Sequence, residues 1–325
     1  MDLEMIRLRA DIVKRIRSFF DSRGYIELDT PLLSDNLIPE SCLEVFQTER
    51  VYPRGRRQEN RMLYLIPSPE IHMKKFIAEH RVNVYQICKC FRNGESCGHL
   101  HDSEFTMLEY YTMDAGYMES LELTEELFNF IRDEPHGLIQ QKILTPFNRI
   151  TMKEAFKKFA SVDLFEAAKD IRVMEECAGK VGLDPQPGMS LQRLYDLTFI
   201  HAVEPRLKMD KPSALLDYPA FVPCLAKPAL DRQTVERWEL YYDGIELANC
   251  YSEETDPEKV KQFFINEEAA KKSDALVNHK VDHDYWKIFA GRGFPRCSGT
   301  AMGVDRLIMA LTGRKRIDDV KMTVT

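Results

Sequence analysis

The stretch Cys90-Phe91-Arg92-Asn93-Gly94-Glu95-Ser96-Cys97-Gly98-His99-Leu100-His101-Asp102-Ser103-Glu104-Phe105-Thr106-Met107-Leu108-Glu109-Tyr110-Tyr111 decides how the chain is read. Val82 to Phe91 is rich in Val, Tyr, Ile and Phe and predicts a strand. Phe105 to Tyr111 predicts a second one, and the polar, glycine-containing connection suits a loop. Side chains alternate along a strand, so Phe105, Met107, Glu109 and Tyr111 share one face. A Glu and a Tyr beside two apolar groups make a poor core face but a good pocket for an amine and a flat ring. Arg92, where the first strand ends, offers a planar fork of donors suited to phosphate. The plainer alternative is a surface arginine beside a half-polar strand.

The whole chain sets the bounds. Its 325 residues, 44% hydrophobic and 30% charged, suit a soluble globular protein with a sizeable core. No apolar run approaches the roughly 18 residues of a membrane helix. The acidic start, Met1-Asp2-Leu3-Glu4, does not resemble a secretory signal. A net charge of −7 argues against binding nucleic acid through a broad basic surface. The eight cysteines are scattered, which favours reduced thiols and a cytoplasmic setting over a disulfide framework. Cys88, Cys90, Cys97, His99 and His101 hint at zinc, but their spacing matches no common Cys-x-x-Cys pair.

Outward from the central stretch, Leu3 to Phe20 has helical apolar spacing, Gly24 follows, and Tyr25 to Leu28 predicts a short strand. Arg54, Arg56, Arg57 and Arg61 form a small basic cluster that reads as solvated surface. Leu63 to Ile66 predicts a strand, and Ser68-Pro69-Glu70 opens a helix reaching Glu79. Ser68 could cap that helix, with Pro69 in its first turn and Glu70 complementing its dipole. Tyr117 to Arg132 predicts a helix, and Ile150 to Gly182 another, with Thr151 and Glu154 as a capping box. Leu191 to Val203 continues a mainly helical insertion at about residues 150–215 of a single domain. Tyr218 to Leu225 reads as a strand interrupted by prolines.

Asp243-Gly244 predicts a two-residue hairpin turn. Such a turn pairs Tyr242 with Ile245, Tyr241 with Glu246 and Glu239 with Ala248, placing Glu239, Tyr241, Glu246 and Ala248 on one face. Glu239 and Glu246 become diagonal neighbours, roughly 7–8 Å apart. Carboxylates that close call for a cation, and magnesium completed by substrate phosphates fits. Asn249, Tyr251 and Glu253 then point the other way unless a bulge intervenes. The alternative is a solvent-facing acidic hairpin. Finally, Cys297-Ser298-Gly299-Thr300-Ala301-Met302-Gly303-Val304-Asp305-Arg306-Leu307 predicts a small-residue strand leading into a helix, where backbone can approach a ligand closely.

Together these stretches resemble the three signature motifs of class II aminoacyl-tRNA synthetases, closest to the lysyl type. The implied fold is α+β: an antiparallel sheet flanked by helices, with the helical insertion. The loop departs from that pattern at Gly94, which intervenes before Glu95, and at Asp102-Ser103, which replaces Asn-Pro. An acid at position 102 near phosphates needs a cation to offset it. The resemblance implies ATP as cosubstrate with magnesium held by Glu239 and Glu246. It places Arg92 on the α-phosphate and Phe105 and Arg306 about the adenine. Asn93, Glu95, His101, Asp102, Leu247 and Gly303 would lie along the nucleotide. Ser68, Pro69, Glu70 and Glu109 would meet the substrate's amine, with Ala301 narrowing that end of the pocket; Tyr111 and Glu253 would take its distal ammonium, and Asn249 would also bind the substrate. Arg92, Arg306 and Glu246 would be the catalytic groups.

The chain starts at the first-motif helix, with no anticodon-binding domain ahead of it in the sequence given. It therefore resembles the freestanding elongation factor P (R)-β-lysine ligase family, and Ala301 in place of Gly fits that family. This implies elongation factor P as acceptor, (R)-β-lysine or lysine as substrate, a homodimer built on the first motif, and no tRNA partner. Another adenylate-forming enzyme acting on tRNA or a small molecule, and a non-catalytic amino-acid-binding regulator, remain as alternatives.

Overall fold

The computed structural model describes residues 2–53, 60–94, 98–132, 139 and 145–323. Glu95 and the basic residues Arg54, Arg56 and Arg57 therefore lie outside the described residues, while Arg61 pairs with Asp35 at 2.6 Å.

The chain opens with α1 (Leu3–Asp21), capped by Asp2, whose carboxylate accepts from the Met5 N–H at 2.8 Å. Two short strands follow, β1 (Ile26–Glu27) and β2 (Leu33–Ser34), then β3 (Gln47–Arg50) and β4 (Arg61–Leu65). Next come α2 (Glu70–His80), β5 (Val84–Phe91), β6 (Glu104–Met113) and α3 (Tyr117–Arg132). The middle third holds β7 (Asn148–Thr151), α4 (Met152–Phe159), α5 (Leu164–Lys169), α6 (Ile171–Lys180) and α7 (Leu191–Thr198). The chain then runs through β8 (Ser213–Pro219), β9 (Thr234–Tyr242), β10 (Ile245–Ser252), α8 (Pro257–Asp274), β11 (Cys297–Gly303) and α9 (Val304–Thr312).

Eight strands form one sheet in the order β1-β5-β6-β11-β10-β9-β8-β7. All its neighbours are antiparallel except the two edge pairs, β1 with β5 and β7 with β8. One face carries the largest core: Leu108 and Tyr110 of β6, Met302 of β11, Cys250 of β10, and Trp238 and Leu240 of β9 pack against α1, α3 and α9. The alternate residues of the same strands face the other way, and there the site lies.

Three expectations are corrected. The helix predicted over 150–182 is three helices, because Asp163 and Asp170 cap new starts and Ser161, between α4 and α5, adopts a positive φ of 58°. The Thr151–Glu154 capping box is present. The strand expected over 218–225 is β8, which ends at Pro219. And Ser68 does not cap α2: Pro69 occupies the cap position, without a side-chain hydrogen bond.

Candidate active site

Asp243 and Gly244 have φ of 51° and 76°, the left-handed pair a two-residue hairpin needs, and Tyr242 pairs with Ile245 and Tyr241 with Glu246 as the turn dictates. Beyond that point the register shifts. Ala248 faces Leu240 and Asn249 faces Glu239, so the expected Glu239–Ala248 pair does not form. The extra residue is a bulge between Glu246 and Ala248. Its effect is to turn Asn249, Tyr251 and Glu253 onto the same face as Glu239 and Glu246.

Four strands now lay their alternate residues along one surface. Two cavities occupy it. The larger, about 420 Å³, is lined by Phe105 and Met107 of β6, Glu239 of β9, Glu246 and Leu247 of β10, Gly303, and Arg306 of α9. The smaller, about 200 Å³, is lined by Met107, Glu109 and Tyr111 of β6, Tyr251 and Glu253, Ser68 and Glu70, and Gly299. Arg92, Arg237, Asn249 and Ala301 line both. Arg92, Arg306, Glu239 and Glu246 thus surround one cavity. In β11 the small residues at every second position, Gly299, Ala301 and Gly303, floor the surface from one end to the other.

The smaller cavity is a carboxyl-rich box. Tyr111 donates to Glu109 Oε1 at 2.6 Å, and Tyr251 to Glu70 at 3.3 Å. Fully buried Lys74 bridges Glu70 and Glu253, each at 2.6 Å. Glu109 Oε2 and Glu253 Oε1 are buried with no hydrogen-bond partner. Burial is costly for a bare carboxylate. It drives the Glu109 carboxyl well above its ordinary range, helped by the Glu70 charge. It also pushes Glu253 up to about 8 against the opposing pull of Lys74. Glu40 and Glu267 also line this cavity, so five carboxyls stand against Lys74, Arg92 and Arg237, which leaves room for added positive charge. Gly299 is obligatory here: a Cβ would meet Tyr111 Cε1 at 2.5 Å and Glu253 Oε1 at 2.6 Å.

At the larger cavity, Arg92 stands 5.2 Å from the Phe105 ring centre. Arg306 reaches the Glu246 carboxylate at 3.6 Å and its backbone carbonyl at 3.1 Å, and meets His101 Nδ1 at 3.0 Å. Glu239 accepts from Arg237 at 2.6 Å and Tyr241 at 2.7 Å, and Arg237 also donates to Asn249 at 3.1 Å. Asp102 lines this cavity, and its carboxylate pairs at 2.6 Å with Lys321, almost completely buried. That lysine supplies the offsetting cation an acid there requires.

Two expected residues line neither cavity. Pro69 sits at the cap position before α2, and Asn93 accepts from the Gly94 N–H at 2.9 Å and donates to the Val45 carbonyl at 3.3 Å, shaping the loop. Lys74, Arg237 and Gly299 were not singled out from the sequence. Lys74 lies one helical turn after Glu70 and Arg237 shares a strand face with Glu239, so spacing alone offered a signal for both. Cys97 lies outside the described residues, and Cys88 and Cys90 lie with sulfurs 3.8 Å apart along β5; among the described residues no three potential ligands of any metal ion stand together.

The family model for tRNA synthetases class II (D, K and N) matches residues 2–323. Similar proteins include "Elongation factor P--(R)-beta-lysine ligase" of Vibrio atlanticus, 33% identical over 98% of this chain and 94% of that protein. The protein of the same name from Proteus mirabilis is 32% identical over 96% and 92%, and that from Actinobacillus succinogenes 33% over 98% and 94%. A match running almost from end to end, on a sheet whose one face joins two cavities at two shared arginines, means that the chain belongs to the class II tRNA synthetase family, among the relatives of the elongation factor P–(R)-β-lysine ligases.

Proposed function

We propose that the protein activates (R)-β-lysine, or lysine, as its adenylate with ATP and transfers the acyl group to a lysine of elongation factor P. One observation carries this reading: a cavity rich in unpartnered carboxyl oxygens and a larger one walled by Arg306, Glu239 and Glu246 among its acids share Arg92 and Arg237. A diamino acid brings two ammonium groups to the first and presents its carboxylate at the junction.

In the first step a substrate carboxylate oxygen attacks the α-phosphorus of ATP, and pyrophosphate leaves. The carboxylate is already ionised, so no general base is needed; positioning and charge neutralisation do the work. Arg92 holds the α-phosphate, while Phe105 and Arg306 flank the adenine. Glu239 and Glu246, two oxygen donors on one face, would hold magnesium completed by the phosphates, and that ion offsets phosphate charge when bound. Glu70 and Glu109 orient the nearer amine; Glu253, with Tyr111, takes the distal ammonium. In the second step the acceptor's lysine amine, losing a proton, attacks the acyl carbon. An amide forms and AMP leaves.

The exposed apolar residues Leu3, Ile6, Ile26, Leu32 and Leu33, on and near the first-motif elements α1, β1 and β2, support a homodimer through that region. The seven described cysteines form no disulfide, which suits the cytoplasm, and no helix among the described residues is long and apolar enough to cross a membrane.

The test is pyrophosphate exchange with lysine, (R)-β-lysine and other amino acids in turn, followed by labelled transfer to elongation factor P and to tRNA. Exchange should require a diamino acid, transfer should go to the protein, and Arg92→Ala should abolish exchange. Retained exchange in that variant contradicts the assignment.

A further inference from the structure

Asp102 sits in the wall of the larger cavity, where the proposed triphosphate would bring several negative charges. Its carboxylate does not face that cavity as a bare charge. Lys321, from the segment after α9, is paired with it at 2.6 Å, with side chains only 3% and 10% exposed. The same ammonium also donates to the Glu104 carbonyl. Around it the segment is stitched to the loop and to the sheet. The Ile317 N–H donates to the His99 carbonyl at 2.8 Å, and Ile317 itself lines the cavity. Arg316 meets His99. Arg9 of α1 donates to the Val320 carbonyl at 3.3 Å and pairs with Asp305 of α9 at 2.6 Å, which in turn accepts from the Thr106 N–H at 2.8 Å. His101, next to Asp102 in the loop, contacts Arg306 at 3.0 Å, and the Leu100 carbonyl accepts from Arg306 at 3.4 Å.

We propose that Lys321 is a positioning residue of the nucleotide site, neutralising Asp102 and clamping residues 99–104 so that a polyphosphate can bind beside an acid. The proposal rests on the reading of the larger cavity as the ATP site. Removing the ammonium leaves a buried, uncompensated carboxylate that both repels phosphate and frees the loop bearing His101. A lysine serving stability alone would lower the melting temperature without separating the two substrates.

The experiment compares wild type, Lys321→Met, Asp102→Asn and the double variant. It measures ATP binding by calorimetry and the KM values for ATP and lysine in exchange. Lys321→Met should weaken ATP by about tenfold or more, leaving the lysine KM in place. Asp102→Asn alone should lose less. The double variant should recover at least about threefold over Lys321→Met, because the uncompensated carboxylate has gone, while the lost tie to the Glu104 carbonyl keeps it below wild type. Unchanged ATP affinity in Lys321→Met, or a double variant as weak as that single one, overturns the proposal. If Lys321→Met is too unstable to assay, the double variant decides: ATP affinity within about tenfold of wild type supports the pairing and a larger loss refutes it. Wild-type protein that binds no ATP instead strikes the reading of the cavity itself, and the proposal falls with it.

Discussion

Gly299→Ala adds one methyl where the smaller cavity has no space for it. The glycine lies in β11 and the cost is steric. The new Cβ would stand 2.5 Å from Tyr111 Cε1 and 2.6 Å from Glu253 Oε1, where ordinary carbon contacts lie at about 3.5–4.0 Å. Both neighbours must retreat by roughly 1 Å. Neither has slack: Tyr111 is tied to Glu109 and Glu253 to Lys74, each at 2.6 Å, and all four are buried. The direction left open is into the cavity. Overfilling a packed site costs about 1–3 kcal/mol. If most of that falls on substrate binding, lysine affinity drops roughly 5- to 150-fold, at about 1.4 kcal/mol per tenfold. The ATP KM should hold, because Gly299 does not line the larger cavity. A diamino acid one methylene shorter should lose less. Pyrophosphate exchange across both substrates, with a melting curve to confirm folding, makes the measurement. A folded variant with an unchanged lysine KM, or with lysine and ATP KM values rising together, refutes the reasoning.

Other outcomes follow from the same box. Glu253, held up to about 8 by burial, carries a proton below that value and cannot then neutralise an ammonium. Its folded-state pKa is raised, so the free protein loses this group's share of stability as pH rises towards 8, while affinity for the diamino acid increases over the same range. The lysine KM should therefore fall from pH 6.5 to about 8, and Glu253→Gln should flatten the profile; a flat wild-type profile counts against the assignment. Above about pH 8, where Glu253 is ionised, Lys74→Met leaves Glu70 and Glu253 without their buried counter-ion and should cost about 3–5 kcal/mol in denaturant unfolding. A loss below about 1 kcal/mol, the level of an exposed pair, contradicts its structural role. Ala301→Gly enlarges the junction of the cavities and should shift the preference between (R)-β-lysine and lysine by about 1–3 kcal/mol; an unchanged ratio of activation rates removes Ala301 from specificity.

Much of the site could be read directly because its chemistry is local. Strand alternation alone put Phe105, Met107, Glu109 and Tyr111 together, and Asp243-Gly244 fixed the hairpin. The bulge at Leu247 was required by the pattern of acids but not visible in it, since a bulge leaves no composition signal. Hence the pairing of Glu239 was off by one residue. The 150–182 region reads as one helix because its apolar spacing runs on, while Asp163 and Asp170 each compete for a new helix start. α8 escaped notice although Asp256 and Pro257 mark its beginning, because its apolar residues gather in its first half and blur the periodicity. The partner of Asp102 lies 219 residues away, a contact no local rule can supply.

The bulge in β10 also says what kind of change this strand can survive. Swapping a letter after Leu247 alters one contact. Removing a residue there shifts the frame of everything downstream: Asn249, Tyr251 and Glu253 would rotate towards the helices, and Cys250 and Ser252 would take their places on the cavity face. The hairpin is therefore forgiving of spelling and intolerant of length, and a library that varies loop size should leave residues 246–248 alone.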